Sequence, residues 1–295
     1  MSKPITRVGL VAKHRLDAAA GVLAELAGWL DASGVTPVFE SETAVMAGRP
    51  PDRPTVTRDE LPNACDLIVV LGGDGTLIGM ADRIAKAGAD VPILGVNFGS
   101  LGFLTEITLP ELYPALESVL AGTAAIDDRI MLRSRTLRGG GVYADCLALN
   151  DVVITKGALS RIIDLAVSIG DRPAMRVRAD GLIIASPTGS TAYNLAAGGP
   201  ILHPEVDALL LTPIAPHMLT NRPIVIPASS EITVRPVMDG SNEEVFVTLD
   251  GQSGHPLQTG DVISICRADR PLRLVRASTR TYFDILRQKL KWSER

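Results

Sequence analysis

The sequence predicts an α/β N-terminal domain built on a doubly wound parallel sheet, followed by a β-rich, β-sandwich-like C-terminal domain. From Arg7 to Leu120, apolar strand-like runs alternate with stretches of helical period, the pattern of a parallel sheet flanked by helices. Past Ile126 the texture changes to short alternating or β-branched runs separated by Gly, Asp and Pro, which reads as strands and turns. Glycine-bearing turns at 72–75 and 97–102 directly follow two apolar runs of the first part. In a doubly wound sheet the carboxyl ends of the strands open onto the ligand crevice, so both turns are expected to face it.

Residues 7–12 form a buried strand, and 17–33 carry Val22, Leu23, Leu26 and Leu30 at helical spacing, with Gly34 closing that helix. A short strand follows at 36–40. Residues 41–64 hold four prolines and no clear period, so a loop with one short helix is expected there. The run 66–71 is a third strand, 76–87 a helix, 91–97 a fourth strand and 109–120 a helix ended by Gly122. The first domain therefore extends to about residue 125. The second, 126–279, takes strand-like runs at 131–138, 142–154, 162–169, 182–185, 232–236, 245–249, 262–267 and 272–276, with an Asp250-Gly251 turn between two of them. Residues 282–292 return to helical spacing through Tyr282, Phe283, Leu286 and Leu290, a face that needs a surface to cover.

Composition removes several classes of function. At 295 residues and 46% hydrophobic content the chain can bury a sizeable core without staples. Its net charge of −4, with no Lys/Arg block, argues against a nucleic-acid partner. Cys65, Cys146 and Cys266 lie far apart with no metal-ligand spacing, and the four histidines are scattered, so no side-chain set is assigned to a metal. No window reaches the length of a membrane span and no leader-like stretch opens the chain, so a cytoplasmic protein with reduced thiols is expected.

Chemistry concentrates in a few places. In Gly72-Gly73-Asp74-Gly75-Thr76, three glycines remove Cβ atoms where a strand turns into a helix, so backbone N–H groups can approach a phosphate closely. Asp74 among them would repel phosphate unless it holds a metal or takes a proton from an attacking hydroxyl; the plainer alternative is an Asp-Gly turn ending a strand. A second cluster, 186–194, places five hydroxyl side chains in nine residues around Gly189, suited to a sugar or phosphate but also typical of a loop. Asn150-Asp151 interrupts an apolar run, where two polar side chains must find partners in a ligand or in a bulge.

The order and spacing of Gly72–Thr76, the 97–104 segment, Asn150-Asp151, Asp180-Gly181, Thr188–Tyr193 and Asp250-Gly251-Gln252 resemble the NAD kinases, and from about Val8 to Trp292 the sequence is similar to bacterial members. A GGDGT turn alone is shared with lipid kinases, and a non-catalytic nucleotide sensor could keep the same pocket. The resemblance implies transfer of the γ-phosphoryl of ATP to the adenosine ribose 2′-hydroxyl of NAD, giving NADP, with a divalent metal, magnesium. It further implies a homodimer or homotetramer, and a final helix, 280–295, packing back on the first domain. By the same resemblance Asp74 is the general base and Asp74-Gly75 part of the NAD site. Asn150 and Asp151 would hold ribose hydroxyls, and Arg161, Arg178 and Asp180 would line the pocket. Thr191, Ala192, Tyr193, Asn194, Leu195 and Ala196 would wrap the dinucleotide, and Gln252 would close it. The family more often has Glu where this chain has Asp151, and the position of Arg161 varies.

Overall fold

A computed structural model describes residues 4–16, 18–48, 52–157, 162–218, 220–238, 244–277 and 279–292. The chain divides into two compact units, Met1–Asp128 with Leu272–Arg295, and Arg129–Pro271. In the first unit β1 (Arg7–Ala12), β2 (Thr36–Glu40), β3 (Thr55–Val56), β4 (Leu67–Leu71) and β5 (Ile93–Asn97) run parallel in the order β3-β2-β1-β4-β5. β4 and β5 are buried at every residue, as central parallel strands covered on both faces must be. The helix Ala19–Ala32 lays Leu23, Leu26 and Leu30 on this sheet and ends where Gly34 takes φ +73°.

Several boundaries differ from the sequence reading. The proline-bearing 41–64 segment holds the helices Ser41–Met46 and Leu61–Ala64 besides β3. The first of these is capped by Glu40, whose carboxylate accepts from Thr43 N at 2.9 Å, a cap that no Ser, Thr, Asn or Asp announces. The strand Leu272–Arg276 sits in the first sheet, parallel to β5 through Leu274 and Ile93, and not with the strands that precede it in the chain. Its buried Leu272, Leu274 and Val275 suit either sheet equally, and pairing alone decides.

The second unit is two six-stranded antiparallel sheets. One runs Ile224–Pro227, Ala208–Ile214, Gly181–Ala185, Asp151–Lys156, Val245–Leu249, Ser253–Leu257; the other runs Arg172–Ala179, Ile163–Ile169, Ile232–Val237, Val262–Arg267, Leu132–Arg138, Gly141–Ala148. Val152, Ile154, Leu182, Ile184 and Val247 from the first share one core with Leu165, Val177, Val234, Ile263 and Ile265 from the second. This is the sandwich the alternating pattern implies. The run expected across 142–154 is in fact two strands in different sheets, Gly141–Ala148 at an edge of one and Asp151–Lys156 at the centre of the other. Leu149 and Asn150 are the corner between them.

Candidate functional site

In the first unit the chemistry is set by how β4 ends. Gly72 donates its N–H to Val96 O at 2.8 Å, Gly73 is the extended N-cap, and the helix Asp74–Lys86 starts two residues earlier than its apolar period indicates. Asp74 and Gly75 are therefore its first helical residues. The Asp74 carboxylate reaches the segment after the second glycine turn. Its Oδ1 accepts from Leu104 N at 3.1 Å, Thr105 N at 2.9 Å and Thr105 Oγ1 at 2.9 Å, and its Oδ2 from Phe103 N at 2.8 Å. The two turns expected to face one crevice are thus joined through this side chain. A carboxylate oxygen offers about two lone-pair sites, so Oδ1 is saturated and Oδ2 keeps acceptor capacity.

In the second unit three chain segments meet at the corner between the sheets. Asp250, at φ +51°, turns its carboxylate onto the backbone of the corner, accepting from Leu149 N at 2.8 Å, Asn150 N at 2.7 Å and Asp151 N at 3.0 Å. Its own N–H donates to Asp151 O at 3.0 Å. Ser186 closes the other side, its N–H donating to Asn150 O at 2.9 Å and its hydroxyl to Leu149 O at 2.5 Å. Gly189 is glycine because a Cβ there would run into the Asn150 backbone. Asn150 is half-buried, and no hydrogen bond of its side chain exists among the described residues. Asp151 is buried, and burial first, then the charge of Asp250, pushes its carboxyl up to about 7.

The hydroxyl-rich loop folds over the outer face of this sheet, with Ala197 and Leu202 packed on Val153, Ile183 and Leu210. Within it Tyr193 is exposed, Thr191, Ala192 and Leu195 are half-buried, and Ala196 is exposed. Asn194 is different. Its amide donates to Ser190 O and Pro200 O, both at 3.0 Å, and accepts from Thr212 Oγ1 at 2.6 Å, so the side chain is a buried staple of the loop. Gln252 is exposed in the turn that Asp250 begins.

Arg178 and Asp180 lie elsewhere. Asp151 pairs with Ala185 at one end of the strand Gly181–Ala185, while Asp180 precedes the other end, where Lys156 Nζ stands 3.2 Å from Asp180 Oδ1. At about 3.4 Å per residue, five residues separate the two groups by roughly 17 Å. Arg178 is exposed near the same end. Arg161 falls outside the described residues.

Sequence reasoning passed over Asp250, Ser186 and Lys156 as site residues. Asp250 carries a signal in its Asp-Gly pair, which the sequence offers as a turn and as part of the Asp250-Gly251-Gln252 resemblance without a role for its carboxylate, and Ser186 stands in the hydroxyl cluster. Lys156 ends an apolar strand with nothing to mark it. Among the described residues no group of three or more His, Cys, Asp or Glu is placed to hold a metal, and no helix is long and apolar enough to cross a membrane.

Comparison with known proteins places these features in context. Residues 8–124 match the family model for the ATP-NAD kinase N-terminal domain, and residues 149–277 that for the ATP-NAD kinase C-terminal domain. The chain is 50% identical to an NAD kinase of Geotalea daltonii and 47% identical to one of Geobacter metallireducens, in each case over 98% of this chain and 99% of the relative. Among solved structures it is similar to yeast NADH kinase complexed with NADH, with TM-score 0.87 and 26% identity over 100% of this chain and 90% of that one. An NAD kinase from Archaeoglobus fulgidus in complex with ATP shares the fold, with TM-score 0.75 and 24% identity over 96% and 99% of the two chains.

Proposed function

This chain belongs to the NAD kinase family, and on that premise we propose which of its residues move the proton and hold the substrates. It phosphorylates NAD to NADP, with ATP as the phosphoryl donor and the adenosine ribose 2′-hydroxyl as the acceptor. Asp74 is the general base: Oδ2 takes the proton of the 2′-hydroxyl as its oxygen bonds to the γ-phosphorus and the bond to the β-phosphate oxygen breaks, releasing ADP. The observation that carries this role is the four-donor cradle, which fixes one carboxylate rotamer at a helix start beside the glycine turn and leaves one oxygen with acceptor capacity. A ribose hydroxyl is a poor nucleophile at neutral pH, so a positioned carboxylate contributes about 10² to 10⁴ in rate. Gly75 belongs to the same turn.

On the acceptor side, Asn150 offers its amide, which has no hydrogen bond among the described residues, and Asp151 its carboxyl to ribose hydroxyls. Thr191, Ala192, Tyr193, Asn194, Leu195 and Ala196 wrap the dinucleotide from the loop, with Tyr193 the ring available for stacking and the Asn194 side chain also keeping the loop's shape from within. Gln252 adds an amide beside the corner. Arg161, Arg178 and Asp180 complete the NAD pocket. The roughly 17 Å between Asp180 and the Asn150 corner supports a homodimer or homotetramer, in which a second copy supplies one group while the first supplies the other.

Magnesium fits this chain as an ion carried by the substrate. No protein cage exists among the described residues, and Mg²⁺ is ordinarily bound through one or two carboxylates together with substrate phosphates. It would neutralise charge on the triphosphate. The lack of a membrane-crossing helix among the described residues agrees with a cytoplasmic enzyme of NADP biosynthesis.

The purified protein given NAD, ATP and magnesium should form NADP, and given diacylglycerol or a sphingoid base should form no phosphorylated lipid. Asn150→Ala should raise KM for NAD more than KM for ATP. A larger effect on ATP would remove Asn150 from the acceptor side.

A further inference from the structure

We propose that the turn after β1, Lys13-His14-Arg15, is the subsite for the phosphate chain of the donor nucleotide, an inference that rests on the kinase reading above. Lys13 N–H donates to Leu71 O at 2.9 Å, so this turn continues the β1–β4 pairing and leaves the sheet at the same carboxyl edge as Gly72 and Gly73. Leu16 N–H donates back to Lys13 O at 3.2 Å, and within that closed turn Arg15 is held at φ +57°. A non-glycine residue in the left-handed region is strained, and such strain persists where the surroundings enforce it, often at ligand clamps.

The root of Lys13 is packed on the glycine turn itself. A Cβ added to Gly72 would meet Lys13 Cβ at 3.1 Å and Thr76 Oγ1 at 2.9 Å. The missing side chain of Gly72 is therefore what lets a lysine and the hydroxyl of the helix's first turn close together over bare backbone. Lys13, His14 and Arg15 are all exposed. His14 Nδ1 lies 3.6 Å from Glu42 Oε2, whereas neither Lys13 nor Arg15 has a carboxylate within ion-pair distance among the described residues.

In a chain of net charge −4, two cations with no carboxylate partner among the described residues and the positive end of a 13-residue helix meet at one strand edge. A local positive field of that kind attracts a polyanion. The GGDGT turn has no basic residue of its own, and its Asp74 adds negative charge, so a triphosphate arriving there needs cations from another segment. The β1 turn supplies them. The ligand class is a nucleoside triphosphate bound by its phosphate chain, with Lys13 as a point charge and Arg15 as a planar donor fork.

Steady-state kinetics of Lys13→Ala and Arg15→Gly test the assignment. KM for ATP should rise about tenfold or more in each, the size of one lost charge-assisted contact, while KM for NAD changes less than about twofold. Lys13→Arg should recover most of the loss. Inorganic tripolyphosphate should compete with ATP in the wild-type protein, and its inhibition constant should rise in the same variants. Both positions are exposed and glycine relieves the strain at Arg15, so circular dichroism should show intact folds. An unchanged KM for ATP, an equal rise for NAD, or tripolyphosphate that does not compete with ATP would overturn the proposal. The wild-type assay separates this from the parent reading: no NADP from ATP and NAD sinks the kinase assignment of the site, whereas an active wild type with indifferent variants sinks only the subsite.

Discussion

Gly102 stands where any side chain would overlap Asp74 Oδ1, so the carboxylate occupies the space that the glycine leaves empty. The contact ties a residue that cannot do chemistry to one that does. Gly102→Ala should push Asp74 out of its cradle and lower kcat by about 10²-fold, the order expected when a reacting group is displaced by an ångström. Affinity for NAD, measured by titration of the inactive variant, should stay near the wild-type value. A kcat within a factor of about three of wild type would show that the loop yields and Asp74 does not move.

Asp74→Asn should cost both rate and stability. The amide offers one acceptor where the carboxylate offered two, and its NH₂ would face the backbone donors of Phe103 or of Leu104 and Thr105. Turnover should fall about 10² to 10⁴-fold through loss of the base. Denaturant unfolding should show a loss of about 1–3 kcal/mol for each buried donor left unpaired. More than a tenth of wild-type rate would remove Asp74 as the base.

The Asp151 carboxyl, pushed up to about 7 by burial and by Asp250, gives the stability a definite slope with pH. Its folded value lies above the ordinary carboxylate value, so between about pH 4 and 7 the folded chain keeps a proton that the unfolded chain has released. Stability from this group therefore falls as pH rises through that window. Melting temperatures from pH 5 to 8 should decline more in the wild type than in Asp151→Asn, where the ionising group is gone. Parallel profiles would show that Asp151 does not titrate there.

The C-terminal helix buries Tyr282, Ile285 and Leu286 and leaves Phe283 59% exposed, which reassigns one residue of the face read from its spacing. Leu286→Ala should cost about 2–5 kcal/mol, whereas Phe283→Ala should stay near zero. Denaturant midpoints of the two variants make the comparison, and equal losses would contradict it. Just ahead of this helix Arg280 Nη1 lies 2.9 Å from Glu111 Oε2. Burial raises the Glu111 carboxyl, but the Arg280 and Thr108 hydrogen bonds outweigh it and hold it at about 2. Because that value is depressed, the contribution is full above the usual carboxylate range and fades as pH falls toward 2. Arg280→Ala should therefore lower stability more at neutral pH than near pH 2, so that the acid side of its stability profile, read from denaturant midpoints at the two pH values, is flatter than that of the wild type.

What was legible in the sequence was whatever local pattern dictates. Leu67–Leu71 into Gly72-Gly73 could only be a buried strand ending in a bare turn, and the alternation past Ile126 could only be sheet. What stayed hidden depended on partners distant in the chain. Asn150 read as a flaw inside one strand because nothing local says that residues 142–148 and 151–154 join different sheets. That the Asn194 side chain also staples the loop from within was hidden because its three partners, Ser190, Pro200 and Thr212, converge only on folding. The cradle of Asp74 was invisible for the same reason, its donors lying 29 to 31 residues away.

The strand Leu272–Arg276 also fixes an order of events during synthesis. The first sheet closes on a segment that leaves the ribosome only after all of Arg129–Pro271, so the second unit is an insertion that can mature before its host is complete. Until then the β5 flank facing that strand presents unpaired backbone groups, a template for stray pairing with other nascent chains. A stop codon anywhere before residue 272 removes the missing neighbour outright. Premature termination as late as residue 271 should therefore yield an aggregating protein even though the whole of the GGDGT region has been translated.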